Sequence, residues 1–372
     1  MSLAGSMPDF FWTPHSGYHW DGSARRFFEG WYVRLTLPEC GESFAFMYSI
    51  DDPAGQSALS GGAAQILGPS EQYHVAWLPD VRGFWAWPHR LGVGHGQRIA
   101  GAGQRGGYLP PAAFWQQVKQ GYQLTATQHQ GCLVDDVTGA IARWQYEIEP
   151  VYGWGAPDQP PRATAGWLSY LPIFEPGWQV LMAHGRATGW VEWQGHRYEF
   201  EQAPTYLEKN WGGAFPQRWF WIQANAFAAI PDLTITAVGG KRQVLGREET
   251  VGLVGLHWAG KFIALTSLQA AVTWQVAPWG SWQMTIADHR YRIVLRGQSK
   301  CPPAQVRVPT RAGLRFECWD TTQGQLTVSV WERSPRSPLR QTLLLEAETH
   351  LAALEVGGQG WQEPWQFAKG LI

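Results

Sequence analysis

The stretch from Thr13 to Ile50 brings acidic, imidazole and aromatic side chains together within a short part of the chain. Its entry is polar and glycine-bearing, and it holds His15, His19 and Asp21. A strand-like segment follows, and Glu29 stands near its start. Carboxyl and imidazole groups are the side chains that most often carry protons in enzymes, so these four residues are candidates for acid–base chemistry.

Glu29 shares one face of the predicted strand with Trp31, because side chains alternate along a strand. A carboxyl group on an apolar face loses hydration, and its pKa tends to rise. That environment favours an acid that stays protonated at neutral pH. A structural role is also open to Glu29, at a strand end that reaches solvent or pairs with Arg25 or Arg26.

His15 and His19 are four residues apart, and Asp21 follows two residues later. This spacing would form a metal-binding face only on a helix. A proline and two glycines within the stretch argue against a helix, so we expect no metal here. Asp21 also precedes Gly22, and this pair is typical of a plain turn.

A second stretch, from Pro204 to Phe227, repeats the layout of a polar entry followed by an aromatic strand. Glu208 and Lys209 lie in that entry, and a surface ion pair between them would be worth under ~1 kcal/mol. Amides and tryptophans share a face of the strand, which suits a cavity wall that binds a ring and hydrogen-bonds to it. The amides are equally suited to satisfying a neighbouring backbone. The residues on this face are Trp219, Trp221, Gln223, Asn225 and Phe227.

The composition predicts an all-β protein. The 372 residues include 43 Gly and 25 Pro, which recur at short intervals between segments rich in β-branched and aromatic residues. The similar entries in each half indicate a duplicated β-barrel unit, and we expect domains at residues 1–197 and 198–372. The glycine-rich segments Ser57–Gly68 and Leu91–Pro111 are predicted to be loops.

Tryptophan is the unusual component, with 24 residues in a chain that is only 16% charged. Because a buried indole N–H needs a partner, tryptophan is a costly filler. Its abundance indicates a large apolar cavity or a lipid-facing surface, although wide β-sheet cores would also absorb many of these rings.

The net charge of −1 and the absence of a basic run argue against nucleic acid as a partner. The four cysteines have no C-x-x-C spacing, which disfavours a zinc ribbon. The first ten residues, MSLAGSMPDF, resemble neither a secretory signal nor a transit peptide. No apolar run reaches ~18 residues, so we expect no membrane-spanning helix and a cytoplasmic location.

The motifs PHSGYHWDG, RFFEGWY and SFAFMYS, then PTYLEKNWGGAFPQRWFW, and finally RVPTRAGLRFECWD and EVGG, resemble those of the tocopherol cyclase family. The resemblance extends over essentially the whole chain. It implies two lipocalin-like antiparallel β-barrel or sandwich units packed together. It also implies ring closure without a cofactor: a phytyl-substituted methylated benzoquinol becomes a chromanol, γ- or δ-tocopherol, when its phenol oxygen adds across a side-chain double bond.

The resemblance implies roles for the residues singled out above. The alkene needs an acid, for which we rank Glu29 first, then Asp21, then Glu208. His15 and His19 would take the phenol proton or orient Asp21. The expected substrate-binding residues are Tyr18, Tyr48, Gln223 and Asn225 for the quinol oxygens, and Trp31, Trp211, Trp219 and Trp221 for the cation or the prenyl chain. Asn210 is also expected to bind substrate.

Two other functions use the same fold and site. A lipocalin-like carrier would bind a prenylquinol or carotenoid without converting it, and a carotenoid 1,2-hydratase would protonate the alkene but admit water. Because the substrate is a lipid, we expect peripheral association with a membrane, such as a thylakoid, or with lipid droplets. The N-terminus fits a cyanobacterial member of the family.

Overall fold

A computed structural model describes residues 13–99, 106–171, 175–244, 247–334 and 337–370, with the backbone alone for residues 243 and 337–339. The predicted all-β fold is confirmed: the strands form two 11-stranded sheets, one in each half of the chain. In the described ranges a single α-helix, α1 (Pro111–Gln117), interrupts the strands. No helix in those ranges is both long and apolar enough to cross a membrane. The first ten residues, on which the targeting prediction depends, lie outside the described part.

The first unit is a sheet in which the N-terminal strand β1 pairs with both β2 and β11, all antiparallel. The sheet order is β4-β3-β2-β1-β11-β10-β9-β8-β7-β6-β5. The strands are β1 (Phe28–Leu37), β2 (Glu42–Asp51), β3 (Gly61–Gly68), β4 (Gln72–Leu78), β5 (Phe84–Ala86), β6 (Gly92–Arg98), β7 (Val118–Thr125), β8 (Gln128–Val134), β9 (Ile141–Tyr152), β10 (Gly177–Trp193) and β11 (His196–Gly212).

The second unit repeats this arrangement, with β12 paired to both β13 and β21. Its order is β15-β14-β13-β12-β21-β20-β18-β17-β16-β22, and β19 pairs with β20 off this path. The strands are β12 (Arg218–Ala224), β13 (Thr234–Val244), β14 (Arg247–Trp258), β15 (Lys261–Thr266), β16 (Ala271–Val276), β17 (Ser281–Ala287), β18 (Tyr291–Gln298), β19 (Ala304–Thr310), β20 (Gly313–Ser334), β21 (Ser337–Gly358) and β22 (Trp365–Lys369).

The boundary expected between residues 197 and 198 lies inside β11. Residues 198–212 pair with β10 and β1, so they belong to the first sheet. The chain changes sheets between Gly212 and Arg218, and we place the boundary there. Gln194 and Gly195, just before the expected boundary, form the turn of the β10–β11 hairpin.

The two segments predicted to be loops each contain a strand. β3 is buried along its whole length, and β6 is buried at four consecutive positions. Glycine is required there by close packing. A Cβ atom on Gly68 would lie 2.7 Å from the Trp193 ring, and one on Gly92 would lie 2.1 Å from the Trp87 ring. These glycines make room for indoles within a sheet.

Each unit has its own apolar core, and tryptophans fill part of both. Trp144 lies in the core of the first unit and Trp282 in that of the second, each fully buried. Burial of one large apolar side chain contributes roughly 1.5–3 kcal/mol. A third apolar cluster, which includes Trp154, Trp219 and Trp221, joins the two units.

Arg34 connects the units across this shared cluster. Its guanidinium is fully buried and donates to the Gln223 side-chain oxygen at 2.8 Å, the Thr322 carbonyl at 3.0 Å and the Leu351 carbonyl at 2.6 Å. All three acceptors belong to the second unit. Since buried polar groups must be hydrogen-bonded, these bonds fix the distance between the two sheets along β1.

Candidate active site

Strand β11 directs neighbouring side chains to opposite sides. Leu207 packs in the core of the first unit, whereas Tyr206 packs in the cluster shared with the second unit. By the same alternation, Lys209 points into the first unit and Glu208 points to the space between the units. The two residues therefore do not form the surface ion pair considered from the sequence.

Glu29 and Lys209 form an ion pair inside the first unit, and both side chains are fully buried. The His19 backbone N–H donates to Glu29 Oε2 at 2.8 Å, and Lys209 Nζ donates to the Gly17 carbonyl at 2.6 Å. Burial by itself would raise the pKa of Glu29, but the Lys209 charge and the His19 contact outweigh it and lower that pKa. Glu29 is therefore a carboxylate at neutral pH.

Neither arginine near Glu29 pairs with it. Arg25 Nη1 lies 3.7 Å from Glu175 Oε1, and Arg26 Nη2 donates to Asp51 Oδ1 at 2.5 Å. The strand-end pairing that the sequence left open for Glu29 is thus replaced by a buried pair with a lysine 180 residues further along the chain.

His15 and His19 lie beside this ion pair and are stacked on Trp211, with a centroid distance of 4.0 Å for His19. His15 Nε2 lies 2.9 Å from Ser169 Oγ, and the two imidazoles approach within 3.3 Å. Burial lowers the pKa of both rings, to about 4 for His15, and Lys209 adds to the effect. Both imidazoles are neutral at pH 7.

Asp21 is apart from this group. Its side chain is exposed and accepts the Ser23 backbone N–H at 2.9 Å, which is the turn interaction considered from the sequence. Hydrogen bonds from Ser23 lower the pKa of Asp21. An exposed carboxylate with a lowered pKa is a poor proton donor at neutral pH, so we leave Asp21 out of the proposed chemistry. In the described ranges, no three His, Cys, Asp or Glu side chains are arranged to hold a metal ion.

A cavity lies between the two units, on the opposite side of β1 and β11 from the Glu29 ion pair. Its volume is about 190 Å³, or about 1130 Å³ when all the space between its walls, including solvent at the open mouth, is counted. A wider polar groove continues from the mouth and shares Phe215, Pro216 and Trp219 with it. The walls are mainly apolar, and they include Tyr32, Met47, Trp178, Trp219, Trp221, Val238, Gly240, Val306, Val308 and Leu314.

Glu208 faces this cavity and is nearly fully buried. Its Oε2 accepts the Tyr206 hydroxyl at 2.6 Å. Burial, helped by the nearby charge of Glu355, raises the pKa of Glu208 to about 7, and hydrogen bonds from Tyr206, Trp178 and Trp221 offset only part of the shift. No lysine or arginine forms an ion pair with it among the described residues. Glu208 is therefore a carboxylic acid that keeps a proton near neutral pH.

A second carboxyl, Glu355, also lines the cavity, and its Oε1 accepts the indole N–H of Trp219. Burial raises the pKa of Glu355. One polar group of the wall, the Tyr32 hydroxyl, has no hydrogen-bond partner among the described residues. Such a group suits the polar end of a mainly apolar ligand.

Comparison with known proteins shows the family to which the chain belongs. The family model described as "Tocopherol cyclase-like" matches residues 25–358. The chain belongs to this family. It is 40% identical to "Probable tocopherol cyclase, chloroplastic" of Oryza sativa subsp. japonica, over 95% of this chain and 80% of that protein. It is 39% identical to "Tocopherol cyclase, chloroplastic" of Zea mays, over 95% of this chain and 79% of that protein.

Among solved structures, that of CghA with Sch210972 has the same overall fold. The TM-score is 0.51, with 10% identity, over 95% of this chain and 98% of that chain. The likeness at this identity concerns the arrangement of two β units alone.

The residues predicted for the site of this tocopherol cyclase-like protein lie in two separate places. Asn210, Trp219, Trp221 and Glu208 line the cavity between the units. The residues of the first unit that surround the Glu29 ion pair are Tyr18, Trp31 and Trp211, together with His15 and His19.

Three predicted substrate-binding residues are engaged elsewhere. Tyr48 borders the cavity, but its hydroxyl contacts His129 Nε2 at 2.5 Å within the first unit. Gln223 accepts from Arg34, and Asn225 donates to the Thr205 carbonyl at 3.0 Å. Both amides therefore form hydrogen bonds with neighbouring polar groups, which is the alternative role considered for them from the sequence.

Sequence reasoning missed three residues that line the cavity, namely Tyr32, Trp178 and Glu355. The alternation in β1 did place Tyr32 on the face opposite Glu29, but nothing local shows which face meets the second unit. Glu355 belongs to the EVGG motif, which was noted for its resemblance alone. Its position opposite Trp221 depends on a strand pairing across more than a hundred residues.

Proposed function

We propose that this protein is a tocopherol cyclase that converts a phytyl-substituted methylated benzoquinol into a chromanol, and that Glu208 is its general acid. The observation that carries the proposal is a protonated carboxyl group, without a cationic partner, that faces a tryptophan-walled cavity. Protonation of an unactivated alkene needs an acid that holds its proton at neutral pH and gives it up in a dry site.

The cavity supplies what the remaining steps need. Proton transfer from Glu208 to the alkene leaves a tertiary cation, which the faces of Trp178, Trp219 and Trp221 stabilise by ~1–2 kcal/mol each. The apolar walls keep water from capturing the cation as an alcohol. The Tyr32 hydroxyl and Asn210 hold the quinol oxygens, so that the phenol is the nearest nucleophile.

The first experiment is incubation of the purified protein with the phytyl benzoquinol under reducing conditions. Chromanol formation is the expected result. A tertiary alcohol would identify a hydratase instead, and bound but unchanged quinol would identify a carrier; either result would overturn the proposal.

The role of Glu208 is tested by Glu208→Gln. We expect kcat to fall by about 10²–10⁴-fold, because the amide has no acidic proton, while affinity for a quinol analogue is retained. Glu201→Gln, at an exposed position of the same strand, is the matched control and should retain wild-type kcat. If Glu208→Gln kept the wild-type kcat, Glu208 would be excluded as the general acid. Glu29 would then be the preferred candidate.

The pH dependence of the wild-type enzyme gives an independent check. A general acid must be protonated, so kcat/KM should fall as pH rises through about 7, the pKa to which burial raises Glu208. A rate that instead rises through this range would contradict the assignment.

We also propose peripheral association with a membrane, at the thylakoid in a cyanobacterial-type member of the family. The support is the lipid nature of the proposed substrate and the exposure of Trp167 and Tyr170, at 72% and 63%. Aromatic residues of this kind favour membrane–water interfaces. Sedimentation with lipid vesicles tests this, and protein that stays entirely in the supernatant would count against it.

A further inference from the structure

Two carboxyl groups lie side by side at one wall of the cavity. Glu355 on β21 is directly opposite Trp221 on β12 and Asp320 on β20. Directly opposite residues share a face of the sheet, with Cβ atoms about 4.5–5.5 Å apart. Glu355 borders the cavity, whereas Asp320 is fully buried and neither of its oxygens has a hydrogen-bond partner among the described residues.

Two carboxylates this close do not both ionise in a dry site, so the pair holds one proton. Burial raises the pKa of Asp320 far above its usual range, and the charges of Glu355 and Glu71 add to the effect. Burial also raises the pKa of Glu355, but the Trp219 indole N–H stabilises its ionised form. Asp320 is therefore the protonated member, and Glu355 is the carboxylate.

Other charged and titratable groups act on the pair or line the cavity beside it, among them Arg242 on β13 and Arg307 on β19. Cys318 on β20 donates to Glu355, and Glu208 on β11 lies within electrostatic reach of it. Arg34 on β1 and Glu71, which precedes β4, act on Asp320 with opposite signs. Tyr32 on β1 is influenced by Asp320, Glu355 and Glu208 together.

We propose that Glu355 is the base that takes the phenol proton during ring closure, so that two different carboxyl groups serve as acid and base. The inference rests on the cyclase function proposed above. The O–H bond of Glu208 breaks and its proton forms a C–H bond at the alkene. The phenol oxygen forms the C–O bond to the resulting cation, and its proton passes to the Glu355 carboxylate.

This sequence of steps conserves atoms and charge, since the product is an isomer of the substrate. It leaves Glu208 ionised and Glu355 protonated, so one proton must return before the next turnover. Exchange with solvent through the open mouth of the cavity, once the product has left, restores the proton of Glu208 and removes the one on Glu355.

The test is the pH profile of Glu355→Gln. In the wild type, kcat/KM should rise with pH as Glu355 ionises and fall as Glu208 loses its proton, which gives a bell. In Glu355→Gln we expect kcat to fall by about 10²–10⁴-fold with KM within about threefold, and the rising limb should disappear. Asp320→Asn is the matched control, because an amide replaces a group that is already uncharged; it should keep both limbs.

The outcomes separate this inference from the function on which it rests. A wild type that forms no chromanol overturns the function. If the wild type forms chromanol but Glu355→Gln keeps both limbs of the pH profile and a kcat within about threefold, only the role of Glu355 is overturned. If Glu355→Gln does not fold, Glu355→Asp decides: the rising limb should persist at a lower kcat, and its loss would overturn the inference.

Discussion

Glu29 and Glu208 lie on opposite faces of the same pair of strands, and they differ in one respect that decides their chemistry. Both are buried, with 0% and 7% exposure. Lys209 neutralises Glu29 and lowers its pKa, whereas Glu208 has no cationic partner among the described residues and its pKa is raised to about 7. Burial alone therefore does not decide the pKa of a carboxyl group; a paired cation lowers it, and without one burial raises it.

The sharpest test of this comparison is Lys209→Met. The substitution leaves Glu29 as a buried charge without its partner, and we expect the free energy of unfolding to fall by about 3–5 kcal/mol in urea denaturation. The double variant Glu29→Gln/Lys209→Met should recover most of that loss, because both charges are then removed. If the single variant is as stable as the wild type, the ion pair does not control the state of Glu29.

The contributions of Glu208 and Glu29 to the free energy of unfolding should also change with pH in opposite directions. The folded-state pKa of Glu208 is raised from 4.5 to about 7, so its contribution to stability is present below pH 4.5 and is lost as pH rises through 7. The folded-state pKa of Glu29 is lowered, so its contribution is present above the unfolded pKa and is lost as pH falls.

Glu208→Gln removes the cost of ionising this buried carboxyl group at high pH, because the amide has no proton to lose. We therefore expect it to be more stable than the wild type above pH 7, on the order of 1–3 kcal/mol, with the difference shrinking toward pH 5. Glu29→Gln should show no such gain at high pH, since it leaves Lys209 unpaired. Unfolding measured at several pH values checks both, and parallel curves for the two variants would refute the contrast.

The comparison also shows what could be predicted from sequence. Alternation in β1 correctly grouped Glu29 with the apolar face, and the short segments between glycines correctly indicated an all-β fold in two units. The partner of Glu29 was not visible, because Lys209 reaches it through pairing of the first and last strands of a sheet. The contacts of Arg34 with Thr322 and Leu351 span even longer separations.

The surface ion pair considered for Glu208 and Lys209 shows the same limit of sequence. The two residues are adjacent, but a strand sends neighbouring side chains to opposite faces, so Glu208 faces the cavity and Lys209 faces Glu29. Similarly, the glycines of β3 were interpreted as loop residues, although they accommodate rings from other strands. Local pattern specifies the faces of a strand, and the tertiary fold decides what each face meets.

A substitution with a smaller expected effect tests whether the substrate binds in the cavity or on the Glu29 side of β1 and β11. Gly240 lines the cavity opposite Trp219, and a Cβ atom there would make only an ordinary 4.0 Å contact with Val251. Gly240→Leu should therefore fold normally but occupy cavity space, and we expect KM to rise about tenfold while kcat changes less. Ser169→Ala, which removes a hydroxyl that lies 2.9 Å from His15 Nε2 on the other side, is the control and should leave KM within about twofold. The reverse pattern, with KM sensitive to Ser169 and not to Gly240, would place the substrate on the histidine side.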